Sequence, residues 1–180
     1  MRIALTLVAA LIAALALTAF AAEEAPAPAA KKAPVIGVFD SRAIAIVYAA
    51  SEHQETYLKG LKVRLEAAKV AKDVKEVERI SAEAKRRQLE FHLMAFSADS
   101  VKELLEPVAA GLPAVAKAAG VDVIVSKWEI VHRAADLKTV DVTTALVKLY
   151  DPDEKSLKIL KDLEGREPLP REAVLRHQEK

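Results

Sequence analysis

Two adjacent stretches of the chain carry the same apolar rhythm, and this pairing limits the fold more than any other feature. Leu58, Leu61, Leu65 and Ala68 are spaced 3, 4 and 3 residues apart, which sets them along one stripe of an α-helix. Val77, Ile80, Ala84, Arg87, Phe91 and Met94 keep that spacing in a second segment, separated from the first only by the polar stretch Lys72–Glu76. Two narrow stripes joined by so short a link predict an antiparallel helical hairpin. Its first arm, Ser51 to Lys72, is about 22 residues, roughly 33 Å at the helical rise. The remaining faces are charged, as in KRRQLE at Lys85–Glu90, and read as a solvated surface.

Such an arm buries little by itself, so a body must support it. Val35, Ile36, Val38 and Phe39 form a nearly continuous apolar run, the pattern of a strand buried on both faces. Helical spacing follows at Ile44, Val47 and Tyr48. Asp40 stands at the joint, where some enzymes place a nucleophile or a metal ligand. A phosphatase of the haloacid dehalogenase type needs Asp-x-Asp there, but Ser41 and Arg42 follow Asp40, so the second acid is missing. GVFDSRA also has one glycine where a dinucleotide loop needs three. Asp40 with Ser41 therefore reads as the cap of the passage into the helix.

Ser51 with Gln54 has the form of a capping box. Ser97 or Asp99 can restart a helix through Val101, Leu104 and Leu105, which Pro107, Gly111 and Pro113 interrupt before Gly120 closes it. Val121–Lys127 alternates as a strand, with Trp128–Arg133 as its hairpin partner or continuation. A short extended stretch, Val140–Val142, precedes a helix capped by Thr143 or Thr144. Asp151-Pro152-Asp153-Glu154 starts a further helix, residues 151–164, and residues 165–180 read as a polar tail.

Composition narrows the chemistry. The chain has no cysteine, which excludes a disulfide framework, a thiol nucleophile and a cysteine-based zinc site. Lys plus Arg number 27 against 26 Asp plus Glu, a balance that does not point to nucleic acid. His53, His92, His132 and His177 are dispersed without metal-ligand spacing, although His53 and His92 can face one another across the hairpin. Asp122, Ser126 and Lys127 have no catalytic spacing, and Trp128 reads as an anchor at a core or subunit contact. The expectation is a chain that is not an enzyme and uses no cofactor or metal.

Residues 1–21 place Arg2 before an apolar run from Ile3 to Phe20 and end in Ala19-Phe20-Ala21. That is the layout of a cleavable secretory signal peptide, and once it is removed no stable membrane insertion is expected. An uncleaved anchor is the competing reading. Residues 22–34 form an Ala/Pro/Lys tether too poor in apolar bulk to build a core.

The order of these elements, with VIGVFDSRAI at Val35, AKAAGVDVIVSK at Ala116–Lys127 and VDVTTALVKLY at Val140–Tyr150, resembles the Skp (OmpH-like) periplasmic chaperone family over residues 35–150. The resemblance implies an α+β fold, with a small β body built from N- and C-terminal strands and a projecting antiparallel helical hairpin. It implies a homotrimer joined through that body, holding unfolded outer-membrane proteins in the periplasm without ATP. Val35, Ile36, Val38, Phe39, Asp40, Val123, Val125, Asp141 and Thr143 become the structural and assembly positions. Leu89, Phe91, Leu93 and Phe96 become the client-binding candidates, with Phe91 also a candidate for the hairpin seam. Unpaired strand edges argue for association independently. The alternative is an exported structural or scaffolding protein of the cell envelope that uses the same fold without chaperone activity.

Overall fold

The computed structural model describes residues 33–178. The expected signal peptide and residues 22–32 of the tether lie outside the described residues. The fold mixes helix and strand. Strand β1 (Ile36–Phe39) is the centre of a three-stranded parallel sheet in the order β2-β1-β3, with β2 at Val123–Ser126 and β3 at Thr139–Asp141. Ile36 lies opposite Val123 and Thr139, and Val38 opposite Val125 and Asp141.

The period of two sorts β1 onto two unlike faces. Val35, Gly37 and Phe39 are buried, while Ile36 and Val38 are only half-buried. In register, Gly37 pairs with Ile124 and Val140, which pack against the core beside Phe39. Ile36, Val38, Val123 and Val125 share the opposite face, where Val123 is 46% exposed. The expected strand buried on both faces is thus covered on one face alone. A Cβ added to Gly37 would stand 3.0 Å from Val121 Cγ2 and 3.2 Å from the Val123 carbonyl oxygen, so the close approach of the neighbouring chain favours a glycine here.

The expected hairpin at Trp128–Arg133 does not form. β2 and β3 both run parallel to β1 and flank it, so the chain leaving β2 must return to the end where the strands begin and cross to the other side of β1 before β3 starts. Residues 127–138 make that return in turns and irregular backbone.

Helix α1 (Ser41–Ala49) crosses the covered face and organises the core. Ile44 is fully buried, as are Leu104 of α4 (Lys102–Leu105) and Leu146 of α6 (Thr143–Val147). The Tyr150 hydroxyl donates to the Leu104 carbonyl oxygen at 2.6 Å, and burial raises its pKa above the ordinary tyrosine value. Pro107 and Pro113 occupy the first turns of a 3-10 segment, Glu106–Gly111, and of α5 (Leu112–Ala119), where a missing N–H costs nothing. Gly120 closes α5 at φ 64°, as its position predicts.

Helices α2 (Glu52–Val70) and α3 (Val74–Ser97) pack along one another on either side of a turn at residues 71–73. Ala68 and Ile80 are buried between charged flanks. Arg64 grips Glu83 with two hydrogen bonds of 3.1 and 2.9 Å, and the Tyr57 hydroxyl donates to the same carboxylate at 3.2 Å. These pairs are largely exposed and set register more than stability.

Several expected caps are replaced. Ser51 precedes α2, but its Oγ donates back to the Tyr48 carbonyl at 2.7 Å, so no capping box forms with Gln54. Neither Ser97 nor Asp99 caps α4, which follows Val101. Neither Thr143 nor Thr144 caps α6. Thr143 is the first residue of the helix, where its N–H donates to Asp141 Oδ1 at 2.8 Å and its hydroxyl accepts from the Asp40 N–H at 3.0 Å. Helix α7 (Glu154–Leu163) starts later than the expected 151, with Pro152 outside it and Asp153 as its cap, Oδ1 accepting from Ser156 N–H at 2.7 Å.

Residues 165–180, expected as a polar tail, carry helix α8 (Arg171–Gln178), which lies on α3 with Val174 buried. The Leu169 N–H donates to the Phe96 carbonyl oxygen at 2.8 Å, and Arg171 pairs with Asp99. A single short apolar run, Ala173–Leu175, in a polar sequence is too weak a pattern to reveal a docked helix.

Truncation at the centre of this core is expected to be costly. Leu146→Ala should lower unfolding free energy by about 2–5 kcal/mol in urea denaturation followed by circular dichroism, against little change for the exposed Thr144→Ala.

Candidate functional site

The carboxyl ends of the three parallel strands converge on Asp40. Arg42 N–H and Nε donate to Asp40 Oδ1 at 3.1 and 3.0 Å, and Trp128 Nε1 donates to it at 2.9 Å. Arg42 Nη2 and Lys127 Nζ reach Asp40 Oδ2 at 2.8 and 3.0 Å. A carboxylate offers about four lone-pair positions, so these donors use up its capacity. The indole also receives Arg42 and Lys127 over its ring at 4.8 and 4.4 Å. Arg42 continues to the Arg166 carbonyl at 2.7 Å, tying the segment after α7 to the same hub.

Burial alone would raise the Asp40 pKa. Hydrogen bonds from Arg42, Trp128 and Lys127 outweigh it and lower the value to about 2. A cavity of about 580 Å³ opens beside this cluster, with Asp141 and Glu164 also on its walls. Asp40 meets that cavity as an anchor whose lone pairs are occupied. Asp141 is likewise engaged, as the cap of Thr143. Ser126 Oγ accepts from the Trp128 N–H at 3.3 Å and Asp122 Oδ2 from the Val35 N–H at 2.9 Å, so the two serve local backbone.

The larger concavity is elsewhere, a groove of about 730 Å³ between α1, α2, α3 and α7. Alanines 45, 49, 84 and 95 line it together with larger apolar side chains. Leu58, Phe96 and Ile159 are 50%, 51% and 42% exposed there, with Leu61 and Phe91 half-buried among them. Phe91 also packs on Tyr48 at 5.8 Å, so it belongs to both the groove and the core margin.

Of the client-binding candidates, Phe91 and Phe96 are brought together in this groove. Leu93 is 4% exposed, which removes it from any accessible face, and half-buried Leu89 lies outside the groove. Helical spacing does not make the split, since residues 89, 93 and 96 stand at i, i+4 and i+7 on one side of α3. Leu58 and Leu61 were legible as seam positions. Ile159 was not, because only the docking of α7 brings it to the groove.

His53 stacks on Tyr48 at 6.2 Å and His92 meets Phe96 edge-on at 5.9 Å. Among the described residues, no His, Asp or Glu cluster could hold a metal ion, and no helix is long and apolar enough to cross a membrane. The sequence matches no known family model and no curated protein.

The Asp40 hub gives a signed pH dependence. Its folded pKa of about 2 lies below the ordinary 3.8, so its stabilisation is present above about pH 4 and is lost as pH falls through 2. Urea denaturation across this window should show about 2 kcal/mol of acid-dependent loss from this group. Asp40→Asn should destabilise at neutral pH by at least about 2 kcal/mol, because it strips the countercharge from buried Arg42, and should flatten that acid limb.

Proposed function

We propose that this chain is an exported holdase of the periplasm, similar to the Skp (OmpH-like) family, that keeps unfolded outer-membrane proteins soluble without ATP. The observation that carries the reading is the groove at the root of α2 and α3. Leu58, Phe96 and Ile159 keep substantial apolar surface open there instead of packing shut. A concave apolar surface with a charged surround suits weak, adaptable contacts with many sequences.

On this reading the sheet with α1 is a body built from N- and C-terminal strands, and α2 with α3 is an antiparallel arm projecting from it. The second unpartnered surface is the outward sheet face of Ile36, Val38, Val123 and Val125. It supports association into a homotrimer, in which the outward face and strand edges of one copy are covered by another. Residues 1–21 act as the cleaved export signal. No nucleic acid, cofactor or metal takes part.

Purified mature protein should slow the aggregation of an unfolded outer-membrane barrel diluted from urea, measured by turbidity. Phe96→Asp or Leu58→Asp should weaken that effect several-fold. Absence of any slowing by the unsubstituted protein would sink the holdase reading and leave the scaffold alternative. Light scattering should give a trimer at micromolar concentration, and a stable monomer there would remove the assembly.

A further inference from the structure

Helix α7 packs on α1 and borders both hollows of the molecule. Ser156 and Ile159 line the groove of about 730 Å³, while Leu157 and Leu160 line the cavity of about 580 Å³ beside Asp40. Its hold on the body is slight. Ser156 is the one buried residue of α7, Leu160 is half-buried against the core, and Leu157 and Ile159 are 47% and 42% exposed. Below it, α1 contributes only the small Ala45 and Ala43 to the adjoining parts of the two hollows. Among the described residues, no side chain of α7 forms an ion pair or a hydrogen bond with another element.

The segments on either side of α7 are held more firmly. Before it, the Tyr150 hydroxyl donates to the Leu104 carbonyl oxygen at 2.6 Å, and after it Arg42 Nη2 donates to the Arg166 carbonyl oxygen at 2.7 Å. Between these anchors the chain turns at Asp151, φ 49°, and at Gly165, φ 74°. Both lie in the left-handed region, which glycine and aspartate enter more readily than most residues, and hinges are built from a few such positions at element ends. Open space along both flanks forfeits the dispersion contacts that neighbouring side chains would supply. Few buried apolar contacts and no polar tie mark an element that opens before the rest of the fold.

We infer that α7 is a lid, hinged at Asp151 and Gly165, that lifts from α1 as one unit and joins the groove and the cavity into a single concavity. Closed, it keeps the two hollows apart. Open, it uncovers the alanine-bearing side of α1 along a helix of ten residues, about 15 Å. The anchors at Tyr150 and Arg166 stay in place, so the lid returns to the same seat. The inference concerns this motion and holds whether or not the groove takes an unfolded client.

The chain has no cysteine, so a single introduced thiol is a unique reporter of opening. Ser156→Cys places one at the buried position of α7, Ala45→Cys one on α1 beside the groove, and Val47→Cys one in the core away from both hollows. All three positions are at most 3% exposed, so a maleimide reaches each thiol only when the structure opens. In the full mature protein, Ser156→Cys should label about a hundredfold faster than Val47→Cys, at a rate that low urea barely changes, as a local opening requires. Ala45→Cys should label within about threefold of Ser156→Cys, because one motion uncovers both. Equal, urea-accelerated labelling of Ser156→Cys and Val47→Cys overturns the lid, since α7 then leaves α1 only when the whole protein unfolds. Fast labelling of Ser156→Cys with Ala45→Cys as protected as Val47→Cys overturns it too, since α7 then frays without uncovering α1. Hydrogen exchange of the unsubstituted protein repeats the test without any substitution. The amides of residues 157–163 should exchange as one group and faster than those of residues 45–49, and equal protection of the two helices overturns the inference.

Discussion

The carboxylate of Asp40 is the interaction on which the other parts depend. It ends the central strand, caps α1, holds the buried Arg42 guanidinium and receives the Trp128 indole from the segment after β2. Its own N–H reaches Thr143 at the end of β3. One residue therefore joins the exits of all three strands. Removing a charge partner from a buried arginine is far more costly than losing an exposed pair such as Lys59 with Glu55, which is why the hub outweighs the many surface ion pairs of α2 and α3.

Fixing that joint creates two apolar surfaces of different shape. The sheet's outward face carries the β-branched Ile36, Val38, Val123 and Val125 at regular spacing, which suits a second regular surface. The groove is concave and lined by alanines together with larger aliphatic and aromatic side chains. Its shape suits a chain that arrives without a fixed conformation. In the reading offered above these are the assembly surface and the binding surface, and α1 separates them.

Much of this was legible from residue spacing. The strand at Val35–Phe39, the two long helices, the Gly120 terminus and the acidic start of α7 follow from periodicity and cap chemistry, which act within a few residues. Pairwise competition was not legible. Thr143 Oγ1 accepts from the Asp40 N–H, 103 positions away, and Ser51 turns back to Tyr48 instead of forward to α2. The groove was half-visible. Phe91, Leu58 and Leu61 stand at apolar positions of the repeat, but Ile159 joins them only through long-range packing. Leu93, an equally apolar residue, is lost to burial.

Sequence by itself determined the local elements and the missing chemistry: no cysteine, no second aspartate after Asp40, no phosphate loop. Those are statements about neighbouring residues, and neighbours alone decide them. The tertiary structure decided which face of the sheet is covered, that both outer strands run parallel to β1, and that a polar C-terminal stretch docks as a helix on α3. Each depends on which distant surfaces meet, and a parallel sheet makes every such meeting long-range because its strands can be joined only by crossing from one end to the other.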